Sequence, residues 1–272
     1  MAIKEIVLHY GRDQRRGARL EGAMALAERF KARLVGVHVL NFPYVPGYIQ
    51  VDLSPALIEQ RMAEMRTAAA ELRREFETAT GRTGVAAEWR LIEGNTADAM
   101  TLAVRYGDLA VVAQANPDDP GPDDRLPDEL VLSAGRPVLV WPFVGDYPHP
   151  GRQIMLAWNG TREAARAAHD AMDFMLGADK VVVSTVNSPV RQHIPGAGIA
   201  GHLARHGVKT EVHAVVAPEL DVGTALLSAA ADFGIDLMVM GGYGHSRLRE
   251  LALGGATRHL LASMTMPVLM SH

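Results

Sequence analysis

Asp236-Leu-Met-Val-Met240 runs directly into Gly241-Gly-Tyr-Gly244, and a second glycine pair, Gly254-Gly255, precedes a helical pattern from Ala256 to Ser263. The apolar run bounded by glycine reads as a buried strand of a parallel sheet. Glycines at such places allow positive φ and let main chain approach a ligand with no Cβ in the way. The pair Gly254-Gly255 falls where a helix begins, and free N–H groups at a helix start favour an anion. Strand, glycine loop and helix start together describe a phosphate cradle.

The same phrases occur earlier in the chain. Asp108-Leu-Ala-Val-Val112 matches Asp236-Leu-Met-Val-Met240, and Arg136-Pro-Val-Leu-Val140 matches Met266-Pro-Val-Leu-Met270. From aspartate to proline the spacing is 29 residues in the first copy (108 to 137) and 31 in the second (236 to 267), close enough to make these one repeated unit. Each half also opens alike, Ile6-Val-Leu-His-Tyr-Gly-Arg12 and Ile154-Met-Leu-Ala-Trp-Asn-Gly160, before alanine-rich helical patterns at Gly17 to Lys31 and Arg162 to Leu176. Strands are expected near 3–9, 33–40, 85–91, 108–113 and 137–141, then near 152–158, 179–186, 208–216, 235–240 and 267–271. Alternating strands and helices predict an α/β fold: a parallel sheet with right-handed crossovers in each copy. Ligands of such sheets sit outside the carboxyl ends of the strands, where the strand order reverses. The proline- and glycine-rich stretch Phe143 to Gly151 suits a boundary, giving domains 1–143 and 151–272.

Composition narrows the function classes. A chain of 272 residues accommodates two domains. A net charge of −4 argues against a broad nucleic-acid surface, and the absence of cysteine removes disulfides, thiolate nucleophiles and cysteine metal sites. The start reads as a strand, not a signal peptide, and no apolar stretch is long enough to span a bilayer, so a cytoplasmic location is the expectation.

The copies differ in two places. The first has a long connection, Asn41 to Gly84, carrying a charged helix from Ser54 to about Thr80 that reads as exposed and amphipathic, with a partner-binding role as the alternative. Opposite the glycine loop it also has Ala115-Asn-Pro-Asp-Asp-Pro-Gly-Pro-Asp-Asp-Arg-Leu-Pro127. Prolines there remove donors, and Asp118, Asp119, Asp123 and Asp124 repel phosphate. A solvated loop over a retired site is expected; a hard-cation site needs ordered ligand spacing that this loop lacks.

Gly241, two residues, Gly244, nine residues, Gly254 resembles the nucleotide-binding motif of the universal stress protein family, in which serine or threonine follows. The resemblance covers the chain as two tandem copies. It implies flavodoxin-like (adenine nucleotide alpha hydrolase-like) domains of five parallel strands, paired within the chain, with a homodimer as an open further arrangement. It also implies ATP or another adenine nucleotide as ligand, with or without Mg2+. Enzymatic activity stays open, at most a weak ATPase. Gly255 replaces the motif's hydroxyl residue, leaving Thr257 either to contact phosphate or to cap the helix. Carried across residue by residue, the resemblance places Ala157 and Asn159 after the first strand, Thr185 beside adenine, Met240 against the base and Tyr243 beside ribose or phosphates. Gly241, Gly244, Gly254, Gly255 and Ala256 supply main-chain amides. Asn159-Gly160 also reads simply as a turn, and His245, Arg247 and Arg249 either meet phosphate or lie on the surface.

Dinucleotide, Walker and nucleophile-elbow motifs are missing from the expected places. His202 and His206 have metal-ligand spacing on a helix but lack a third ligand. The competing function is an interaction protein that uses the long helix and the loop Asn41 to Tyr48 to hold a partner or apolar ligand.

Overall fold

The computed structural model describes residues 2–41, 55–188, 194–243 and 255–272. Ten strands form one sheet: β1 (Glu5–His9), β2 (Arg33–Leu40), β3 (Ala87–Glu93), β4 (Leu109–Ala113), β5 (Val138–Trp141), β6 (Gln153–Ala157), β7 (Lys180–Val186), β8 (Thr210–Val215), β9 (Leu237–Gly241) and β10 (Val268–Ser271). Their order is β3-β2-β1-β4-β5-β10-β9-β6-β7-β8. Every pairing is parallel except that of β5 with β10, where Val138, Leu139 and Val140 face Met270, Leu269 and Val268. The strands of the first half therefore point opposite to those of the second. Each half reverses its strand order beside its first strand, at β1/β4 and at β6/β9, which opens a crevice at the carboxyl ends there.

Helices cover both faces: α1 (Arg16–Phe30), α2 (Pro55–Thr80), α3 (Thr96–Arg105), α4 (Leu126–Ser133), α5 (Arg162–Asp170), α6 (Met172–Leu176), α7 (Ala197–Arg205), α8 (Val222–Asp232) and α9 (Ala256–Ser263). Two apolar layers result, each continuous across both halves. One joins Leu8, Trp141 and Leu139 to Leu156, Phe174 and Leu269; the other joins Val7, Val112 and Leu130 to Met155, Met240 and Leu260. The long helix α2 is not free-standing, because Leu72 and Phe76 are buried in the first layer and Ala69 is buried as well. Gly36 of β2 makes room for the Phe76 ring, which a Cβ would meet at 2.6 Å.

The sequence repeat has a structural basis in its two aspartates. Asp108 accepts hydrogen bonds from the Lys4 and Glu5 amides at 2.8 and 3.0 Å. Asp236 accepts from Gly151, Arg152 and Gln153 at 2.8 to 3.1 Å. Each carboxylate thus satisfies the otherwise unpaired amides where the first strand of its half begins. At the seam, the Arg29 guanidinium donates to the carbonyls of Pro150, Gly151 and Phe174, and Phe30 meets Phe174 edge-on at 4.8 Å.

Hydrogen bonds to a charged acceptor contribute about 1.5–3 kcal/mol each, with strong overlap when they share one carboxylate. Asp236→Ala is expected to cost about 3 kcal/mol, read as a lower urea midpoint with an unchanged m-value. An unchanged midpoint would show that the amides find water instead.

Candidate functional site

Two corners qualify by topology. In the second half the corner is built from the ends of β6, β7 and β9 and the start of α9. The paired residues Ala157, Ser184 and Met240 share one sheet face, with Ala157 and Met240 in the same apolar layer as Tyr243. Thr185, one residue beyond Ser184, points to the opposite face by the alternation of a strand. The hydroxyls of both Ser184 and Thr185 are buried without a hydrogen-bond partner among the described residues. Ser184 was missed in the sequence, since only strand register reveals that it shares the Met240 face.

Several expected ligand contacts are already engaged within the protein. Asn159 Oδ1 accepts from the Thr161 amide at 3.1 Å and its hydroxyl at 2.9 Å, and the Thr161 hydroxyl caps α5 by accepting from the Ala164 amide at 3.3 Å. The turn reading of Asn159-Gly160 is therefore realised, with Gly160 at φ 77. Gly241 owes its missing side chain to helix packing: a Cβ there would sit 2.5 Å from the Ala164 nitrogen and 2.6 Å from the Glu163 carbonyl carbon. Glu163, also missed in the sequence, is buried behind this glycine with its carboxylate 2.5 Å from Arg162 Nε.

Tyr243 takes a left-handed conformation, φ 56, which few non-glycine residues adopt. Expected beside ribose or phosphates, it instead buries its ring and donates its hydroxyl to Asp128 of α4, in the other half. Its amide is held by the Thr257 hydroxyl at 3.4 Å, which occupies the group expected to reach phosphate or cap the helix. Gly255 is the N-cap of α9, which begins without a side-chain cap among the described residues, in contrast to α5 and α8. Gly244, His245, Arg247, Arg249 and Gly254 lie outside the described residues, as do residues 42–48 of the alternative partner loop.

The corner of the first half is more enclosed than its acidic loop foretold. A cavity of about 460 Å³ opens there, lined by His9, His38, Arg19, Gln114, Asp123 and Trp141 among others. The segment from Pro117 to Pro122 is exposed, as a solvated loop should be, while Asp123 and Asp124 are half-buried at the rim of the cavity. Arg19, fully buried, grips Asp13 in a two-pronged pair at 2.9 and 2.6 Å. Gln114 donates to the Leu261 carbonyl of α9 at 2.8 Å and accepts from the Phe143 amide at 3.1 Å, which ties this corner to the other half. Tyr10, which corresponds to Trp158 of the second half, is turned into the core, its hydroxyl on Glu75 and its ring edge-on to Phe76 and Trp89.

Burial holds the His9 imidazole down to a pKa of about 4, assisted by the Arg19 and His38 charges and opposed by Asp123 and Asp13. No three-residue His, Asp or Glu cluster able to hold a metal occurs among the described residues, and His202 and His206 only pack edge-on at 4.8 Å. No described helix is long and apolar enough to cross a membrane.

The universal stress protein family model matches residues 151–272. That half of the chain is a universal stress protein domain. A universal stress protein of Synechocystis is 37% identical over 147 residues, which cover 52% of this chain and 49% of the relative. The chain thus spans about half the length of the curated relative it matches. Over the whole chain the fold is that of solved universal stress proteins. The Archaeoglobus fulgidus structure has a TM-score of 0.79 at 13% identity, covering 98% of this chain and 95% of its own. A putative universal stress protein from Pseudomonas aeruginosa reaches 0.61 at 18% identity, covering 99% and 93%. The same fold therefore extends to the first half, beyond the part that the family model matches.

Two outcomes follow from the corners. Removing the bond between Tyr243 and Asp128 by Tyr243→Phe is expected to cost about 1 kcal/mol, and a double-mutant cycle with Asp128→Asn should return a coupling of the same size. Additive effects would place the bond outside the stability of the seam. His9 stays neutral in the fold while an unfolded histidine takes a proton below about 6.5, so acidification favours the unfolded chain. Stability should fall by roughly 3 kcal/mol between pH 6.5 and pH 4, a component absent from His9→Gln when both are unfolded in urea across that range.

Proposed function

We propose that this chain is a tandem universal stress protein, with domains 1–143 and 151–272, that binds an adenine nucleotide at the corner of its second half. Binding would make it a nucleotide-responsive stress factor of the cytoplasm, acting by altered assembly or partner binding. The observation that carries this reading is the uncapped start of α9 at Gly255, at the carboxyl edge of β9 and beside the apolar wall of Ala157 and Met240. A helix start without a side-chain cap presents main-chain donors and the positive end of the helix dipole to an anion. The wall suits an aromatic base, and the Ser184 hydroxyl, without a partner among the described residues, lies on the same face of the adjoining strand. The glycine spacing through Gly244 and Gly254 supports the same assignment from the sequence side.

Magnesium, if it accompanies the nucleotide, would be held by phosphate oxygens and water, since Asn159 offers no carboxylate and its carbonyl oxygen serves the turn. The described residues present no general base aligned on this corner, so binding rather than turnover is the proposed activity.

Gly255→Pro tests the reading. The residue sits at φ −49 and ψ 151, which proline accepts, so the change removes one amide donor and spares the helix. Calorimetry with ATP, ADP and AMP should show binding to the wild type and a loss of about tenfold or more in the variant, as for one lost bond to a charged group. No binding by the wild type at millimolar nucleotide, or an unaltered affinity in a folded variant, overturns it.

A further inference from the structure

Among the described residues, Lys31, Asn187 and Tyr243 hold a positive φ without being glycine. Lys31 closes α1 as its C-cap. Asparagine tolerates the left-handed region, and the Asn187 side chain is fixed on both the amide and the carbonyl of Ala217. Tyr243 has neither reason. A bulky L-residue enters that region at a cost and stays only where its surroundings hold it. Glycine, which is free of that cost, stands one position away on either side, at 242 and 244.

What holds Tyr243 comes from both halves. Thr257 Oγ1 accepts from its amide at 3.4 Å. The preceding Gly242 donates to the Ser271 carbonyl at 2.9 Å, and His272 Nδ1 lies 3.0 Å from its own carbonyl oxygen. The remaining contacts are with α4 of the first half. Gly242 packs so closely on that helix that a Cβ would meet Val131 Cγ1 at 2.8 Å, and the Tyr243 hydroxyl donates to Asp128. Asp128 stands in the first turn of α4, where the helix dipole favours a carboxylate. Tyr243 and Thr257 flank the glycine-rich segment in the sequence, so the bond between them ties its two ends, and Asp128 anchors one of the pair from the other half.

We infer that Asp128 is a positioning residue for the nucleotide corner of the other half. Through Tyr243 it holds the chain that leaves β9 in the left-handed turn from which the glycine-rich segment departs. This rests on the nucleotide reading of that corner, and it gives the first half a part in binding without a ligand contact. With the hydrogen bond gone, the left-handed turn is populated for less of the time, and the apparent affinity falls by that fraction. Charge alone predicts the reverse, because deleting a carboxylate favours a polyanion. The sign of the effect therefore separates positioning from electrostatics.

The test measures ATP affinity of the full chain by calorimetry for the wild type, Asp128→Ala, Tyr243→Phe, the double variant and Glu129→Ala, each checked for folding by circular dichroism. Glu129 shares the first turn of α4, so its removal deletes the same charge and leaves the Asp128 bond in place. Asp128→Ala and Tyr243→Phe are each expected to weaken ATP binding about tenfold, the size of the left-handed penalty, and the double variant no further. Glu129→Ala should bind at least as tightly as the wild type. Tyr243→Phe carries the test if Asp128→Ala does not fold. Wild-type affinity in either folded variant, losses that add in the double variant, or an equal loss in Glu129→Ala overturns the inference and leaves the nucleotide site standing. No ATP binding by the wild type removes the site and this role together.

Discussion

Two short strands that cannot be left open govern this structure. β5 and β10 are wholly buried, Val138 to Trp141 and Val268 to Ser271, and each would end its half-sheet in an apolar edge of unpaired amides and carbonyls. Pairing them with each other removes both edges and fuses the apolar layers on either face. The pairing is antiparallel, so the carboxyl ends of the two sets of strands emerge on opposite edges. Neither crevice can therefore merge with the other. Each corner is nonetheless tied to the other half, through Gln114 on Leu261 in one direction and Tyr243 on Asp128 in the other.

Within that frame the same backbone carries different chemistry. The Tyr10 and Trp158 amides bond the carbonyls of Val37 and Ser184, and the Gln114 and Gly242 amides bond those of Trp141 and Ser271, so the corners superpose in their main-chain bonding. His9 then stands where the second half has Ala157, and Gln114 where it has Gly242. Small residues leave the second corner with main-chain donors and an apolar wall. Large polar ones give the first corner a buried imidazole, a salt-bridged arginine and an orphaned carboxylate oxygen.

Much of the fold was legible because it rests on local pattern. The ten strands lie within two residues of their expected positions, since runs such as Leu109–Ala113 and Leu237–Gly241 are apolar throughout and end at polar or glycine breaks. The site was legible only in outline. Gly241 was read as clearing space for a ligand, whereas it clears space for the first turn of α5. Tyr243 was read as a ligand neighbour, yet its partner, Asp128, is 115 residues away. The acidic loop was read as solvated, and residues 117–122 are exposed, but the reading did not foresee that Asp123 faces a buried histidine from the first strand.

The sequence by itself determined the repeated strand–helix order, the paired aspartates that anchor each half and the placement of a glycine-rich turn after the ninth strand. These follow from periodicity, burial preference and turn chemistry, which act over a few residues. Only the tertiary structure decided which strand edges join, which glycine serves packing, and which polar groups are satisfied and which are left wanting a partner. Those depend on contacts between segments a hundred residues apart, and hydrogen-bond satisfaction in a closed interior is a property of the whole assembly rather than of any stretch within it.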